Sequence, residues 1–396
     1  MTVLIADKLA AKTVIDLEAM GAIVEVRPEL GADDLPDAVG EADVLVVRST
    51  KVTAKTIDAG PQLSLIVRAG AGVNTIDMAE ASKRGIAVSN CPGKNTAAVA
   101  ELAIGLLICA DRRIPAATRD TIEGRWRKKE YQNAQGLNGR TLAVLGLGSI
   151  GRAVAVRAMG LGMQVRGWSR SLTPSRAHEL GVEYCDSALD AVAGADAVTV
   201  HLAVSDDTRG FVGEELLGAM KEGSIFINTS RGEIVDENAL VRAAREQGIR
   251  VALDVYSGEP AGGSAEFEPG AIHSLLAAAT PHVGASTSEA SEAIAAEVVR
   301  IVRSYKETGK PLNCVNIRTS PGESVSLVVR HYNAVGVLAG VLDELRNLDI
   351  NVEEMENTIF NGAETATCTL KLDRAPADDV IERLQGGEHI IQLCLK

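Results

Sequence analysis

The chain has 396 residues, 46% apolar and 23% charged, the balance of a globular protein with room for two or three domains. Its formal net charge of −13 opposes a nucleic-acid or anionic-membrane partner, yet leaves a small anion free to meet a local group of arginines. Six scattered cysteines, without C-x-x-C or metal-ligand spacing, read as reduced thiols, and no metal site is expected.

Taken in order, the first residues form a short apolar strand that meets Asp7 at once, unlike a secretory leader. The longest near-apolar run, 102–110, is too short to span a bilayer, so a cytoplasmic protein is expected. Residues 3–5, 23–26, 44–47, 65–67 and 86–88 read as strands, with amphipathic segments starting near Thr13, Leu35, Thr53 and Asp77. Short apolar strands alternating with helices make βαβ units and a parallel sheet. Gly21 and Gly85 sit where helix C-caps belong. Residues 97–110 form a helix that is apolar almost all round, hence buried, and a polar, basic connection follows over 111–139.

Residues 142–145 read as a buried strand, Gly146, Gly148 and Gly151 follow as G-x-G-x-x-G with Ser149 and Ile150 between them, and a helix pattern from Arg152 follows directly. Strand, glycine turn and helix in that order suit a dinucleotide pyrophosphate, which needs a tight turn, close backbone approach and a helix N-terminus. Further strands are expected at 164–168, 197–201, 224–228, 250–255 and 277–280. The helix over 288–308 shows one apolar stripe and is stopped by Gly309-Lys310-Pro311. Past a linker near 316–322, marked by Thr319, Ser320, Pro321 and Gly322, the pattern is βαββαβ, a small ferredoxin-like module.

Three polar stretches follow strands of the nucleotide domain, at 228–232, 254–260 and 280–286, the end where open α/β sheets bind ligands. They carry Arg231, Glu259 and His282. An arginine fork suits a carboxylate and a carbonyl oxygen, and a histidine can exchange the proton that accompanies a hydride. A carboxylate beside that histidine orients it and favours its charged form. Taken singly, each could be a surface Arg, a helix-start Glu or a satisfied strand-end His.

In combination, Gly146-Leu-Gly-Ser-Ile-Gly151, Asn228-Thr-Ser-Arg-Gly232, Ala252-Leu-Asp-Val-Tyr256 with Glu259-Pro260, and Thr280-Pro-His-Val-Gly284 resemble the D-isomer-specific 2-hydroxyacid dehydrogenases. The resemblance covers nearly the whole chain and is closest to the branch that oxidises 3-phosphoglycerate to 3-phosphohydroxypyruvate in L-serine synthesis. It implies that Arg231 binds and polarises the 2-oxo acid, that His282 is the general acid/base and that Glu259 is its partner. Asp254 would lie near the nicotinamide, with Thr96, Thr229 and Gly284 bordering the cofactor. Arg68, Gly70, Ala71 and Gly72 would form a substrate loop offering backbone N–H groups to a carboxylate. Arg48, with Lys51 close by, resembles the position that meets a substrate phosphate.

The fold so implied is α/β. A flavodoxin-like substrate domain (1–94 with 286–315) and a Rossmann dinucleotide domain (95–285) are both doubly wound parallel sheets, and a small ACT-like regulatory domain (322–396) follows. Ser169 stands where relatives specific for NAD carry Asp, and Arg170 follows it, a pair suited to a 2′-phosphate. The cofactor is therefore expected to be NAD or NADP, leaning to NADP. His331 and Asn333 resemble effector contacts for L-serine, although Ala334-Val335 replace the usual Arg-Pro. The buried 97–110 helix and the ACT-like tail suggest a homodimer or homotetramer. Two other readings share these residues: an NADPH-dependent glyoxylate/hydroxypyruvate reductase and a dinucleotide-sensing, corepressor-like binding protein.

Overall fold

Short apolar strands with helical crossovers bury both faces of a sheet, and the chain does this twice. β1 (Thr2–Ile5), β2 (Ile23–Val26), β3 (Val44–Val47), β4 (Leu65–Arg68) and β5 (Ala87–Asn90) make a five-stranded parallel sheet in the order β2-β1-β3-β4-β5. The computed structural model describes residues 1–260, 266–267, 270–318 and 325–396. β6 (Thr141–Leu145), β7 (Gln164–Trp168), β8 (Glu183–Tyr184), β9 (Ala197–Val200), β10 (Ile225–Asn228), β11 (Arg250–Leu253) and β12 (Leu276–Ala279) make a seven-stranded sheet, ordered β12-β11-β10-β9-β6-β7-β8. All its pairings are parallel. The strand order reverses between β1 and β3 in one sheet and between β6 and β9 in the other. A crevice opens at such a point, because successive crossovers leave to opposite sides.

Three elements were not legible. β8 is only two residues long, too short for any hydrophobic period, and it adds a seventh strand. The basic connection contains two helices, Ile114–Ile122 and Lys128–Tyr131. Asp120 organises them by accepting from Arg125 and from the Tyr131 hydroxyl at 2.6 Å.

Contacts divide the described chain into compact units of Met1–Asn316 and Ile317–Lys396. The expected linker residues Thr319 to Gly322 lie outside the described residues. In the second unit, β13 (Val325–Tyr332), β14 (Val352–Ile359), β15 (Thr365–Leu372) and β16 (Ile390–Leu395) form an antiparallel sheet, ordered β14-β15-β13-β16. Helices Val337–Asn347 and Asp378–Gln385 complete βαββαβ, burying Leu327, Val329, Val341, Leu345 and Leu370 in a core of their own.

Helix Ser288–Thr308 returns to the first sheet. Its Ile294, Val298, Ile301 and Val302 share a core with Val3, Ile5 and Leu17, each such burial contributing about 2 kcal/mol. Beyond it, Val315 N–H donates to the Val88 carbonyl, and Asn316 Oδ1 accepts from Val88 N–H at 2.8 Å.

Glu297 anchors this return. Its carboxylate is 3% exposed and meets Arg300 at 2.6 Å, Lys94 at 3.1 Å and Asn313 at 2.7 Å. Burial opposes the charge, but hydrogen bonds from Arg300, Asn313 and Lys94 outweigh it and hold the carboxyl down at about 2. A folded-state value depressed from 4.5 stabilises the fold above that pH and loses the contribution as pH falls toward 2. Glu297→Gln should therefore lower the melting temperature at pH 7, with the gap to wild type closing on acidification; a pH-independent gap would contradict this account.

Candidate active site

The nucleotide turn is dictated by sterics. Gly146 has φ +99°, and a Cβ there would lie 2.4 Å from the His201 carbonyl oxygen. A Cβ at Gly151 would lie 1.9 Å from the Gly146 carbonyl oxygen, so helix Ser149–Gly160 can pack on β6 only with glycine there. Gly148 differs: nothing lies within 4 Å of a Cβ built on it. The space beyond its backbone, at the N-terminus of a twelve-residue helix, suits a pyrophosphate. Ser149 and Ile150 are the first residues of that helix. Thr96, first in helix Thr96–Arg112, and Thr229 after β10 each have a buried hydroxyl without a hydrogen-bond partner, as a cofactor-facing hydroxyl would before its ligand arrives. These features fit a dinucleotide.

Trp168 ends β7 and stacks on Phe211 with ring centroids 5.2 Å apart. Ser169 follows it, and exposed Arg170 pairs with Asp207 at 3.4 Å. His201 lies just past β9; its ring lies 2.9 Å from the Thr199 hydroxyl, and burial holds it down at about 4, so it is neutral wall rather than acid/base.

Asp254, 1% exposed, shapes the loop after β12. Oδ1 accepts from the Thr280 hydroxyl at 2.6 Å and Val283 N–H at 2.9 Å, and Oδ2 accepts from Gly284 N–H at 3.0 Å. The Asp254 carbonyl takes His282 N–H at 2.7 Å. Held this way, His282 adopts φ +54°, a left-handed conformation unusual for a residue with a side chain. Asp254, expected beside the nicotinamide, thus has its carboxylate committed to this loop. A Cβ on Gly284 would lie 2.9 Å from Oδ2, so the loop closes on Asp254 only with glycine there.

His282 Nδ1 lies 2.6 Å from Glu259 Oε2, while Glu259 Oε1 accepts Tyr256 N–H at 2.8 Å. Partial burial would raise the Glu259 carboxyl, but bonds from His282 and Tyr256 N–H, with the Arg231 charge, hold it below the usual carboxylate range. It is therefore ionised beside the imidazole at neutral pH. The Arg231 loop is shaped by Asn228, whose amide donates to the Arg231 carbonyl at 2.8 Å. Gly232 lets that loop touch Tyr256, since a Cβ would lie 2.2 Å from the Tyr256 carbonyl carbon.

From the first sheet, Arg68 folds over its own loop. A Cβ on Gly70 would collide with its guanidinium at 1.5 Å, and one on Gly72 would lie 2.7 Å from Arg231 Nη2. The loop is pinned where Asn90 Nδ2 donates to the Ala71 carbonyl at 2.6 Å and Cys91 N–H to the Gly70 carbonyl at 2.9 Å. Burial, and then the charges of Arg231 and Arg48, push Arg68 from 12.5 down to about 10. Its buried Nε has no partner. Arg48, Arg68 and Arg231, read separately from three strand ends, thus form one positive group around Arg68, and Arg231 in turn acts on Glu259. Asp7 and Asn90 were not read from the sequence as site residues; their common signal is a polar residue at or just past a strand end.

His331 lies near the end of β13 and Asn333 just past it. Along β13, Leu327, Val329 and His331 face the core in alternation, so His331 is only 2% exposed. Its Nδ1 lies 2.8 Å from the Tyr332 carbonyl and its Nε2 3.3 Å from Asn357 Oδ1. Asn333 Nδ2 donates to the Ala363 carbonyl at 2.9 Å. His331 is thus buried, whereas Asn333 is exposed.

Gly148→Ala is expected to melt within about 2 °C of wild type and to lose at least tenfold in dinucleotide affinity, read by calorimetric titration, since its methyl group meets only ligand space. Gly151→Ala should lose both stability and binding. Equal behaviour of the two variants would rule out this division.

Residues 104–284 match the family described as D-isomer specific 2-hydroxyacid dehydrogenase, NAD binding domain. The chain is 38% identical over 356 residues to D-3-phosphoglycerate dehydrogenase of Mycobacterium tuberculosis, covering 89% of this chain but only 66% of that protein's length. It is also 38% identical over 307 residues to hydroxypyruvate reductase of Thermotoga maritima, covering 76% of this chain and 96% of that protein. Among solved structures, NAD+-bound 3-phosphoglycerate dehydrogenase of Entamoeba histolytica superposes with TM-score 0.67 at 25% identity, over 81% of this chain and 99% of that one.

Proposed function

Because the chain belongs to the D-isomer-specific 2-hydroxyacid dehydrogenase family, we propose that it oxidises D-3-phosphoglycerate to 3-phosphohydroxypyruvate, the entry to L-serine synthesis. The observation that carries this reading is the Arg48–Arg68–Arg231 group: buried Arg68, held down at about 10 by burial and then by the charges of Arg231 and Arg48, in a chain of net charge −13. A carboxylate answers one guanidinium; a phosphate and a carboxylate together bring about three negative charges and answer all of them.

The nicotinamide, when bound, supplies the acceptor for the hydride from C2. With Nδ1 engaged by Glu259, Nε2 of His282 is the ring nitrogen left to take the hydroxyl proton. Ionised Glu259 balances the imidazolium so formed. Arg231 and the amides of the 70–72 loop hold the substrate carboxylate and the developing carbonyl oxygen. Both NAD and NADP are accepted in this reading. Ser169 adds no charge against a 2′-phosphate, and Arg170 can exchange its exposed partner Asp207 for one.

A second reading, an NADPH-dependent glyoxylate/hydroxypyruvate reductase, is favoured by the Thermotoga maritima relative and by Ser169. Reduction of 3-phosphohydroxypyruvate and hydroxypyruvate, each with NADH and NADPH, separates the two. We expect kcat/KM for the phosphorylated acid to be higher by at least about tenfold; the reverse order would establish the second reading. His282→Ala should lose at least about 100-fold in kcat while its cofactor Kd stays near wild type. Ser169→Asp should move cofactor preference toward NAD, whose free 2′-hydroxyl can pair with the new carboxylate.

Self-association completes the proposal. Helix Ile114–Ile122 and the turn after it leave Ile122 81% and Trp126 85% exposed, an apolar pair suited to a second copy. Light scattering should give at least a dimer, and Trp126→Glu should lower the mass; a monomeric wild type would refute the idea. Among the described residues no helix is long and apolar enough to cross a membrane, and a cytoplasmic location suits a site of this kind.

A further inference from the structure

We propose that Asp7 is a positioning residue for the phosphate end of the substrate, fixing the loop that carries Arg48 at the switch point of the first sheet. The inference rests on the phosphorylated-substrate reading above. Asp7 lies just past β1 and Arg48 just past β3, neighbours whose crossovers leave to opposite sides, so their ends border an open crevice. Asp7 Oδ2 accepts the backbone N–H groups of Arg48 at 2.7 Å, Ser49 at 3.1 Å and Thr50 at 3.1 Å. Oδ1 accepts the Ser49 hydroxyl at 2.9 Å.

Three successive amides can reach one oxygen only if the chain curls around it, so the carboxylate acts as the template for the 48–50 turn. Among the described residues all four of these contacts go to that turn, and the carboxylate forms no ion pair with a guanidinium. Arg48 is therefore left without a carboxylate partner while its backbone is held in place. Its charge and that of Asp7 are both felt at Arg68, with opposite sign, which places Asp7 at the edge of the positive cluster as its counterweight. A carboxylate spent on backbone N–H groups can order an anion site without occupying it.

The test compares Asp7→Ala, Asp7→Asn and Arg48→Ala in the intact chain, with 3-phosphohydroxypyruvate and with hydroxypyruvate as substrates. For Asp7→Ala, KM for the phosphorylated acid should rise at least about tenfold with kcat within about twofold, and KM for hydroxypyruvate should move by less than about threefold. Asp7→Asn keeps one acceptor oxygen and should fall between Asp7→Ala and wild type; it carries the same comparison should Asp7→Ala fail to fold. Arg48→Ala should show the same selectivity. If Arg48→Ala is selective but both Asp7 variants affect the two substrates alike, or neither, the positioning role is overturned and the substrate reading stands. If Arg48→Ala is itself unselective, the phosphate reading falls, and the role of Asp7 falls with it.

Discussion

The buried carboxylate of Asp254 draws the ends of two strands into one loop, and the placement of His282 follows from that. Its oxygens and its own carbonyl take hydrogen bonds from Thr280, His282, Val283 and Gly284. Those bonds hold His282 in a left-handed backbone conformation that it would not keep alone. The strain aims the imidazole at Glu259, which the next loop presents. Without the clamp the histidine would relax to an ordinary strand end, and the pair at 2.6 Å would separate.

Electrostatics act in the opposite sense on the substrate side. Burial, and then the charges of Arg231 and Arg48, make Arg68 easier to deprotonate than an ordinary guanidinium. Such an arrangement is unfavourable until an anion arrives, so part of the binding energy of an anion is the relief of that repulsion. The acids nearby are used differently. Asp254 orders backbone and hydroxyl groups, Asp7 orders backbone and Ser49, and Glu259 balances the imidazole. None of them needs to neutralise the arginines.

Much of this was legible from local pattern. The glycine turn, the strand ends at 228, 254 and 280, and the βαββαβ order of the tail could all be read directly, because sterics and side-chain periodicity act over a few residues. Reading failed where the period was too short or the deciding contact was remote. β8 is two residues long, and the helices after residue 113 depend on Asp120 being capped from below by Arg125 and Tyr131. The inward-facing position of His331 likewise depends on which side of β13 meets the core.

The sequence alone determined that two parallel sheets and a small antiparallel one would form, that a dinucleotide turn would sit at 146–151, and which arginine, glutamate and histidine stood at strand ends. Each of these follows from residue type and near-neighbour spacing. Only the tertiary structure decided that Arg48, Arg68 and Arg231 share one field, that Asp254 serves the histidine loop, and that Asp7 folds the Arg48 turn around its carboxylate. Those partners lie about 20 to 180 residues apart in the chain, and no local pattern encodes which loop ends a crossover brings together.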